Sequence, residues 1–462
     1  MTIRQAYRKM QMDDQRKKLL IVGNGTIITM TEKGIVKDGA VVLDPDRDII
    51  ADIGETKSVL RKYDGINYDY LDAEGYLVFP GFINAHEHSY ASFVRGLCIK
   101  DPQPTDFMEN LRRKWWVLDE SLDEKQVEIE TLVSYLDAVH HGVTTQFEHH
   151  VSFGFIDGSL SVIGKAADQI GIRTCSCFEV SDRNGMEKAD AAIRENVRWM
   201  KEAEEKKDGL NTGVMGLHAS FTLSDRTLTR VREALPKGGG CHIHVAESKE
   251  DVEDCISRYG VRIPERLERY DLLNDKTIIA HGVFLNRDDM ERISRKNAAV
   301  VNNFESNMNN AVGCPPTREL VYEGILTCLG MDGYTHSVPD SLRIGSALLK
   351  LSSHDINAGW GELWKMVTEG NPILAGRFFD KKFGQIAEGF VPDLVLSRYD
   401  PPTPLNRDTL EAHLIFGLDS RSISTVICHG RIVMRDGVVL GVDEEKVLAE
   451  SRVQARRLWE KM

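Results

Sequence analysis

Pro80-Gly81-Phe82-Ile83-Asn84-Ala85-His86-Glu87-His88 is the stretch that decides how this chain folds. It joins a short apolar run to two imidazoles. Side chains on a strand alternate faces, so His86 and His88 point one way and Glu87 the other. One His-x-His is weak evidence, because two histidines on one face also fit a packed core or an exposed edge. Repetition gives it weight. Between about Pro80 and Asp380 the chain returns about eight times to a short apolar run that ends in a polar group. The runs are GFINAHEH, VTTQFEHH, IRTCSCFE, TGVMGLHAS, CHIHVAE, TIIAH, AAVVNNF and TCLGMDG. Between them lie amphipathic stretches such as SLDEKQVEIETLVSYLDAVHH and EKADAAIRENVRWMKEAEEKK, whose apolar residues recur at helical spacing. About eight strand–helix units predict an α/β protein with a (β/α)8 TIM-like barrel; a doubly wound open sheet is the alternative.

Outward from this core the pattern changes. From about Leu19 to Tyr76, and again from Phe390 to Val442, short apolar runs are punctuated by Gly and Asp, as in small β-structure. The two ends are expected to pair in space as a small β-sandwich. Val447, Leu448, Val453 and Leu458 give the last segment helical spacing. The expected division is 1–79 and 390–443 for the two parts of the sandwich, 80–389 for a metal-dependent barrel, and 444–462 for a terminal helix.

A chain of 462 residues suits a large domain plus a smaller one. The net charge of −13 argues against a polyanionic partner such as nucleic acid. The polar N-terminus has no apolar region of signal-peptide type, and no run approaches the roughly 20 apolar residues of a membrane span. Cys175 and Cys177 suit one face of a strand. The scatter of Cys98, Cys241, Cys255, Cys314, Cys328 and Cys428 reads as reduced, buried thiols. Together these features predict a cytoplasmic protein with no membrane partner.

In such a barrel the chemistry sits at the C-terminal ends of the strands. Those ends carry His86 and His88, then His244 with Glu247 just beyond it, His281, and Asp332. His242 shares a face with His244 but reads as barrel packing. An unpaired carboxylate drawn to the end of an apolar strand costs roughly 2 kcal/mol or more, and a metal is a natural partner for Asp332; a loop cap is the alternative. His149 or His150 should face the pocket. Trp115-Trp116 lies on a long loop that can cover it, although a core anchor for the adjacent helix is the more common use of paired aromatics, and Arg95 is suited to bracing it by a salt bridge.

By order and spacing the chain resembles the amidohydrolase superfamily, in the mononuclear branch of guanine deaminase, chlorotriazine hydrolases and methylthioadenosine/S-adenosylhomocysteine deaminase. The segments GLHASFTLSD, HVAE with EDVEDC, and PPTPLN make it most similar to the aminohydrolase family called SsnA, associated with purine catabolism and selenium-dependent metabolism. The resemblance implies that His86, His88, His244 and Asp332 hold one divalent metal, and that Glu247 and His281 assist proton transfer with Asp332. His218 matches a position that contacts substrate. Binuclear relatives carry a carboxylated lysine on the fourth strand; TGVMGLHAS has no lysine, which favours one metal. Zinc suits these ligands, with iron(II) as the alternative.

The sequence departs from the family pattern at Glu87, Asn302, Phe304 and Met331, and places His336 on the loop after Asp332. None of these is a predicted metal ligand. His149, Asn302 and His336 are therefore expected, with His218, to touch the substrate. The expected reaction is metal-assisted hydrolysis that releases ammonia from an amino-substituted, purine- or pterin-like ring. Opening of a cyclic amide or hydantoin-like ring, and a non-catalytic scaffold, are the alternatives. A homodimer is implied by analogy alone.

Overall fold

The structure is a computed structural model and describes residues 18–98 and 103–462. The reading of the N-terminus as lacking a signal peptide falls mostly outside the described residues. Five strands open the chain: β1 (Leu19–Ile28), β2 (Ile35–Asp44), β3 (Ile49–Glu55), β4 (Tyr68–Asp72) and β5 (Leu77–Pro80). Nine more follow: β6 (Phe82–Glu87), β7 (Val143–His150), β8 (Arg173–Phe178), β9 (Asn211–Gly213), β10 (Met215–Ala219), β11 (Cys241–Val245), β12 (Ile278–His281), β13 (Ala299–Asn302) and β14 (Leu326–Leu329). The chain ends with β15 (Leu394–Ser397), β16 (Ile423–Cys428), β17 (Arg431–Arg435), β18 (Val438–Val439) and a helix, Glu444–Lys461.

Each of the eight apolar runs contributes a strand, the fourth being divided between β9 and β10. All pair in parallel: β6 to β9 form a four-stranded sheet and β10 to β14 a five-stranded one. Backbone bonds cross both gaps between these sheets. The N–H groups of Met331 and Asp332 donate to the carbonyl of His86 at 3.1 and 2.9 Å, and Val180 bridges to Leu217. The result is an α/β fold of TIM-barrel-like arrangement, with the apolar faces of its helices packed around the strands. The long helix Glu124–His140 starts where the Asp123 side chain and Gln126 cap each other's backbone N–H, and ends in Gly142 with φ of 79°.

Close approach at one seam depends on glycine. A Cβ on Gly330 would lie 2.4 Å from Asn303 Oδ1 and 2.8 Å from His86 Cβ, so any side chain there would push β14 off β6. The strand ends beside it are turned sharply. Ala246, His281 and Asp332 all adopt left-handed backbone conformations, with φ of 52°, 72° and 55°. Such conformations are uncommon outside glycine and cluster where side chains are aimed at a site.

Strands from both ends of the chain share one sheet. One nine-stranded sheet runs β18-β17-β16-β15-β5-β1-β2-β3, with β4 paired to β1. It is tied to the barrel-like part by the buried Arg173 of β8, which donates to Asp393 at 3.0 Å and to Asp48 at 2.5 Å. No helix of the described residues is long and apolar enough to cross a membrane. All eight cysteines are unpaired; Cys98 is exposed and Cys314 half-buried, so the expectation of uniformly buried thiols is corrected for those two. Both lie in connecting segments outside the strands; Cys314 packs against the edge of the core.

Candidate active site

Imidazoles from four strands converge at one end of the parallel strands. β6 brings His86, with His88 one residue beyond; β7 brings His149; β11 brings His242 and His244; β12 ends in His281. Asp332 follows β14. Their ligand-capable atoms form three overlapping sets, each within 4.8 Å: His86, His244 and His281; His88, His149 and His244; and His86, His88 and Asp332.

The hydrogen bonds fix where the ring protons sit. His88 Nδ1 donates to the His149 carbonyl at 2.5 Å, and His244 Nδ1 donates to the His218 carbonyl at 2.9 Å. A carbonyl only accepts, so each ring spends its hydrogen there. The two Nε2 atoms then face each other as bare lone pairs 3.1 Å apart. Burial, reinforced by neighbouring rings, holds His244 well below the usual histidine range, so this ring does not relieve the contact by taking a second proton. A cation between them does. His86 Nε2 is likewise buried without a partner, while its Nδ1 lies 2.8 Å from His242 Nε2. His281 Nδ1 donates to Asn307 Oδ1 at 2.8 Å, leaving Nε2 toward Asp332 at 3.7 Å and Glu247 at 3.6 Å. Asp332 Oδ1 completes the group, 3.4 Å from His88 Nε2. Several imidazole nitrogens and one carboxylate are a donor set that fits a borderline divalent cation such as zinc.

The two carboxyls beside this point are tuned in opposite directions. Burial pushes Asp332 up, but His88 and His281 outweigh it, and its pKa lies below the ordinary carboxylate value. Burial raises Glu247 above that value despite His281 nearby. At neutral pH Asp332 is the acceptor of a proton and Glu247 the better holder of one.

The cavity over the cluster is lined by His88, His218, His244, Glu247, His281 and Asp332, and is covered by Leu111, Trp115 and Trp116. Both tryptophans lie in short helical segments, Leu111–Trp115 and Trp116–Ser121, and not on the expected loop, and both line the pocket. Asn302, His149 and His336, which the sequence places at the substrate, are not among the residues that line this cavity. His149 lies beneath the cluster, its Nε2 facing the Leu217 and His242 carbonyls at 3.1 Å each. Asn302 donates to the His281 carbonyl at 3.2 Å and accepts from Thr317 at 2.7 Å. His336 turns behind the wall because two carboxylates attract it: Asp137 at 3.1 Å and Glu87 at 3.4 Å. Burial opposes its charge, but those two acids raise its pKa to about 10. Glu87 thereby has a partner on the face that points away from the imidazole cluster.

Among the cavity residues that sequence reading did not single out are Asp119, Glu179 and Arg183. For Glu179 the signal was present, because the third run, IRTCSCFE, ends in this carboxylate just as the first ends in histidine.

A model described as the amidohydrolase family matches residues 77–433. The chain belongs to the amidohydrolase family. It is 30% identical to the 5-methylthioadenosine/S-adenosylhomocysteine deaminase of Pyrococcus furiosus over 93% of this chain and 98% of that one. The 5'-deoxyadenosine deaminase of Methanopyrus kandleri is 26% identical, over 96% and 99%. Among solved structures, a zinc-bound adenosine deaminase from Xanthomonas campestris superposes with a TM-score of 0.81 at 20% identity, covering 96% of this chain and 98% of that one. Guanine deaminase from E. coli gives 0.76 at 19%, over 90% and 99%. As a member of this family the chain is a hydrolytic enzyme.

Proposed function

We propose that this amidohydrolase is a metal-dependent aminohydrolase that removes ammonia from an amino-substituted, purine- or pterin-like heterocycle. The observation that carries the reading is the pair of bare imidazole nitrogens, His88 Nε2 and His244 Nε2, 3.1 Å apart beside two oppositely tuned carboxyls. In this reading His86, His88, His244 and Asp332 hold one divalent metal, zinc in preference to iron(II). Such an ion, when bound, lowers the pKa of a coordinated water toward about 7 and polarises the substrate. Asp332, ionised at neutral pH, receives the proton released on that side. Glu247, with its raised pKa, delivers one to the ring nitrogen or leaving amine. His281, held by Asn307, faces both carboxyls and orients the group between them. Trp115 and Trp116 shield the cavity from bulk water. The named activities of the deaminase relatives support the choice of reaction and of a small heterocyclic substrate.

The same reading includes a closed eight-stranded barrel over 80–389. Segments 1–79 and 390–443 form a β-sandwich, and 444–462 is a terminal helix. Residues of β1, β2, β15 and β16 sharing one buried cluster support the sandwich. A cytoplasmic homodimer acting in purine breakdown, as in the SsnA family, completes it.

Elemental analysis with an ammonia-release screen over aminopurines, pterins and triazines tests this function. About one zinc or iron per chain and ammonia release are expected. Asp332→Asn and Glu247→Gln should each lower kcat on that substrate by about 100-fold or more. Near-wild-type turnover in both variants overturns the assignment. Turnover without ammonia moves it to ring-amide hydrolysis.

A further inference from the structure

The cavity wall beside the imidazole cluster has a chemical bias that the reaction alone does not require. Glu179 follows β8 and is nearly inaccessible, with 3% of its side chain exposed. Its Oε1 accepts from Arg183 Nη2 at 2.8 Å. Its Oε2 accepts no hydrogen bond among the described residues. The nearest ring nitrogen recorded for Oε2 is His149 Nδ1, 3.7 Å away. That nitrogen is bare, because His149 Nε2 faces two carbonyls and spends the ring hydrogen on them.

His218 shows the same polarity. Its Nδ1 is 2.7 Å from Thr222 Oγ1, whose own hydrogen goes to the Ala219 carbonyl at 3.0 Å. The arrangement that satisfies both contacts puts the imidazole hydrogen on Nδ1. His218 Nε2 then presents a lone pair to the cavity, 3.9 Å from Glu179 Oε1. Arg183 is the cation of this wall, and three of its five N–H donors go to Asp119 at 2.6 Å, Glu179, and Ser181 at 3.3 Å. Trp116 and Phe153 lie over its guanidinium at 5.1 and 5.0 Å. Arg183 therefore holds Glu179 Oε1 in place and opposes the rise that burial imposes on its carboxyl pKa. Asp119 Oδ1 is buried and unpartnered as well.

This wall is one ring-width from the imidazole cluster. The His218 and His244 ring centroids are 5.8 Å apart. A group that meets Glu179 and His218 while the reacting carbon lies at His244 belongs to the same heterocycle, not to a distant substituent. Buried acceptors left without donors are costly, and a ligand that supplies the donors is selected strongly over one that does not.

We propose that Glu179 and His218 form an acceptor-only recognition edge that selects heterocycles presenting ring N–H donors, as lactam and cyclic-urea rings do. It disfavours rings whose edge nitrogens are all acceptors. This inference rests on the heterocycle-hydrolase reading of the cavity and adds the substrate class.

The test uses equilibrium binding, so it does not depend on turnover. Zinc-reconstituted enzyme is titrated by calorimetry with xanthine, which has no amine to lose, and with its 1-, 3-, 7- and 9-methyl isomers. Each isomer removes one N–H. Wild type should bind xanthine at least tenfold more tightly than one or two of the isomers. Glu179→Gln, which replaces an acceptor-only group by an amide with a donor, should compress that difference to within about threefold. His218→Gln, read in the same way, serves if Glu179→Gln fails to fold. Equal affinity for xanthine and every isomer overturns the proposal, as does tighter binding of 2-aminopurine than of xanthine. Ammonia release from an aminopurine together with either result sinks the recognition edge and leaves the proposed reaction standing. Failure of all these rings to bind the zinc-loaded enzyme sinks both.

Discussion

Two neighbouring regions of this molecule are built from the same residue types and are opposite in how fully they are paired. Behind β6, the buried Glu87 and His336 form a network with the half-buried Asp137. His336 Nε2 also meets Ser134 Oγ at 3.1 Å, and Asn84 donates to Glu87 at 2.7 Å. In front of β6, His86, His88 and His244 aim bare nitrogens at one another and at no protein donor. One strand supplies both regions, because Glu87 alternates with His86 and His88. A buried network with its charges compensated rigidifies the fold; one left open is completed by something that binds. The degree of saturation, more than the presence of histidine, separates the brace from the site.

The largest expected effect comes from breaking the saturated side. His336→Leu leaves the buried Glu87 without its cation and takes one partner from the half-buried Asp137, and breaking a buried pair in this way costs about 3–5 kcal/mol. Urea denaturation of the metal-loaded protein measures it, and a loss below about 1 kcal/mol would show that the network is not holding the fold. The pH dependence has a definite sign. The folded-state pKa of His336 is raised to about 10 from an ordinary 6.5. Its contribution is therefore complete below about pH 6.5 and disappears as pH rises toward about 10. Wild type should lose its advantage over His336→Leu across that window.

The next effect comes from the open side. Stripping the metal leaves the facing lone pairs of His88 and His244 uncompensated. Restoring zinc at 100 to 1,000 times its Kd should add about 3–4 kcal/mol of stability. His244→Ala should lose most of that increment and the bound metal, whereas His336→Leu should keep both. A zinc increment of the same size in His244→Ala would erase the contrast between the two regions.

How far the sequence reveals this contrast depends on what each feature requires. The strands were legible because each of the eight apolar runs is short and bounded, and His86, His88, His244, His281 and Asp332 were legible because they end such runs. His336 was misplaced because its direction is set by Asp137, 199 positions earlier in the chain, and no local period reports that attraction. Asn302 stands at the end of β13 like a site residue, yet its amide is consumed by His281 and Thr317. Glu179 stood in plain view at the end of a run, but its importance comes from Arg183 and His218, which only the fold brings together.

The smallest effect concerns the outer edge of the saturated network. Arg95 lies 3.5 Å from Asp137, with 67% of its side chain exposed, so this contact is a surface ion pair screened by water. Such pairs contribute about 0–1 kcal/mol. Asp137 is already held well below the usual carboxylate range: burial raises it, and the hydrogen bond and charge of His336 more than reverse that. Arg95 lowers it less than His336 and His141 do. Arg95→Ala should therefore cost less than about 1 kcal/mol in urea denaturation, with the loss shrinking further at high salt. It should also leave the pH window of His336 unmoved. A loss as large as that of His336→Leu would mean that the charge balance behind β6 extends to the surface, and that His336 alone does not compensate the two acids.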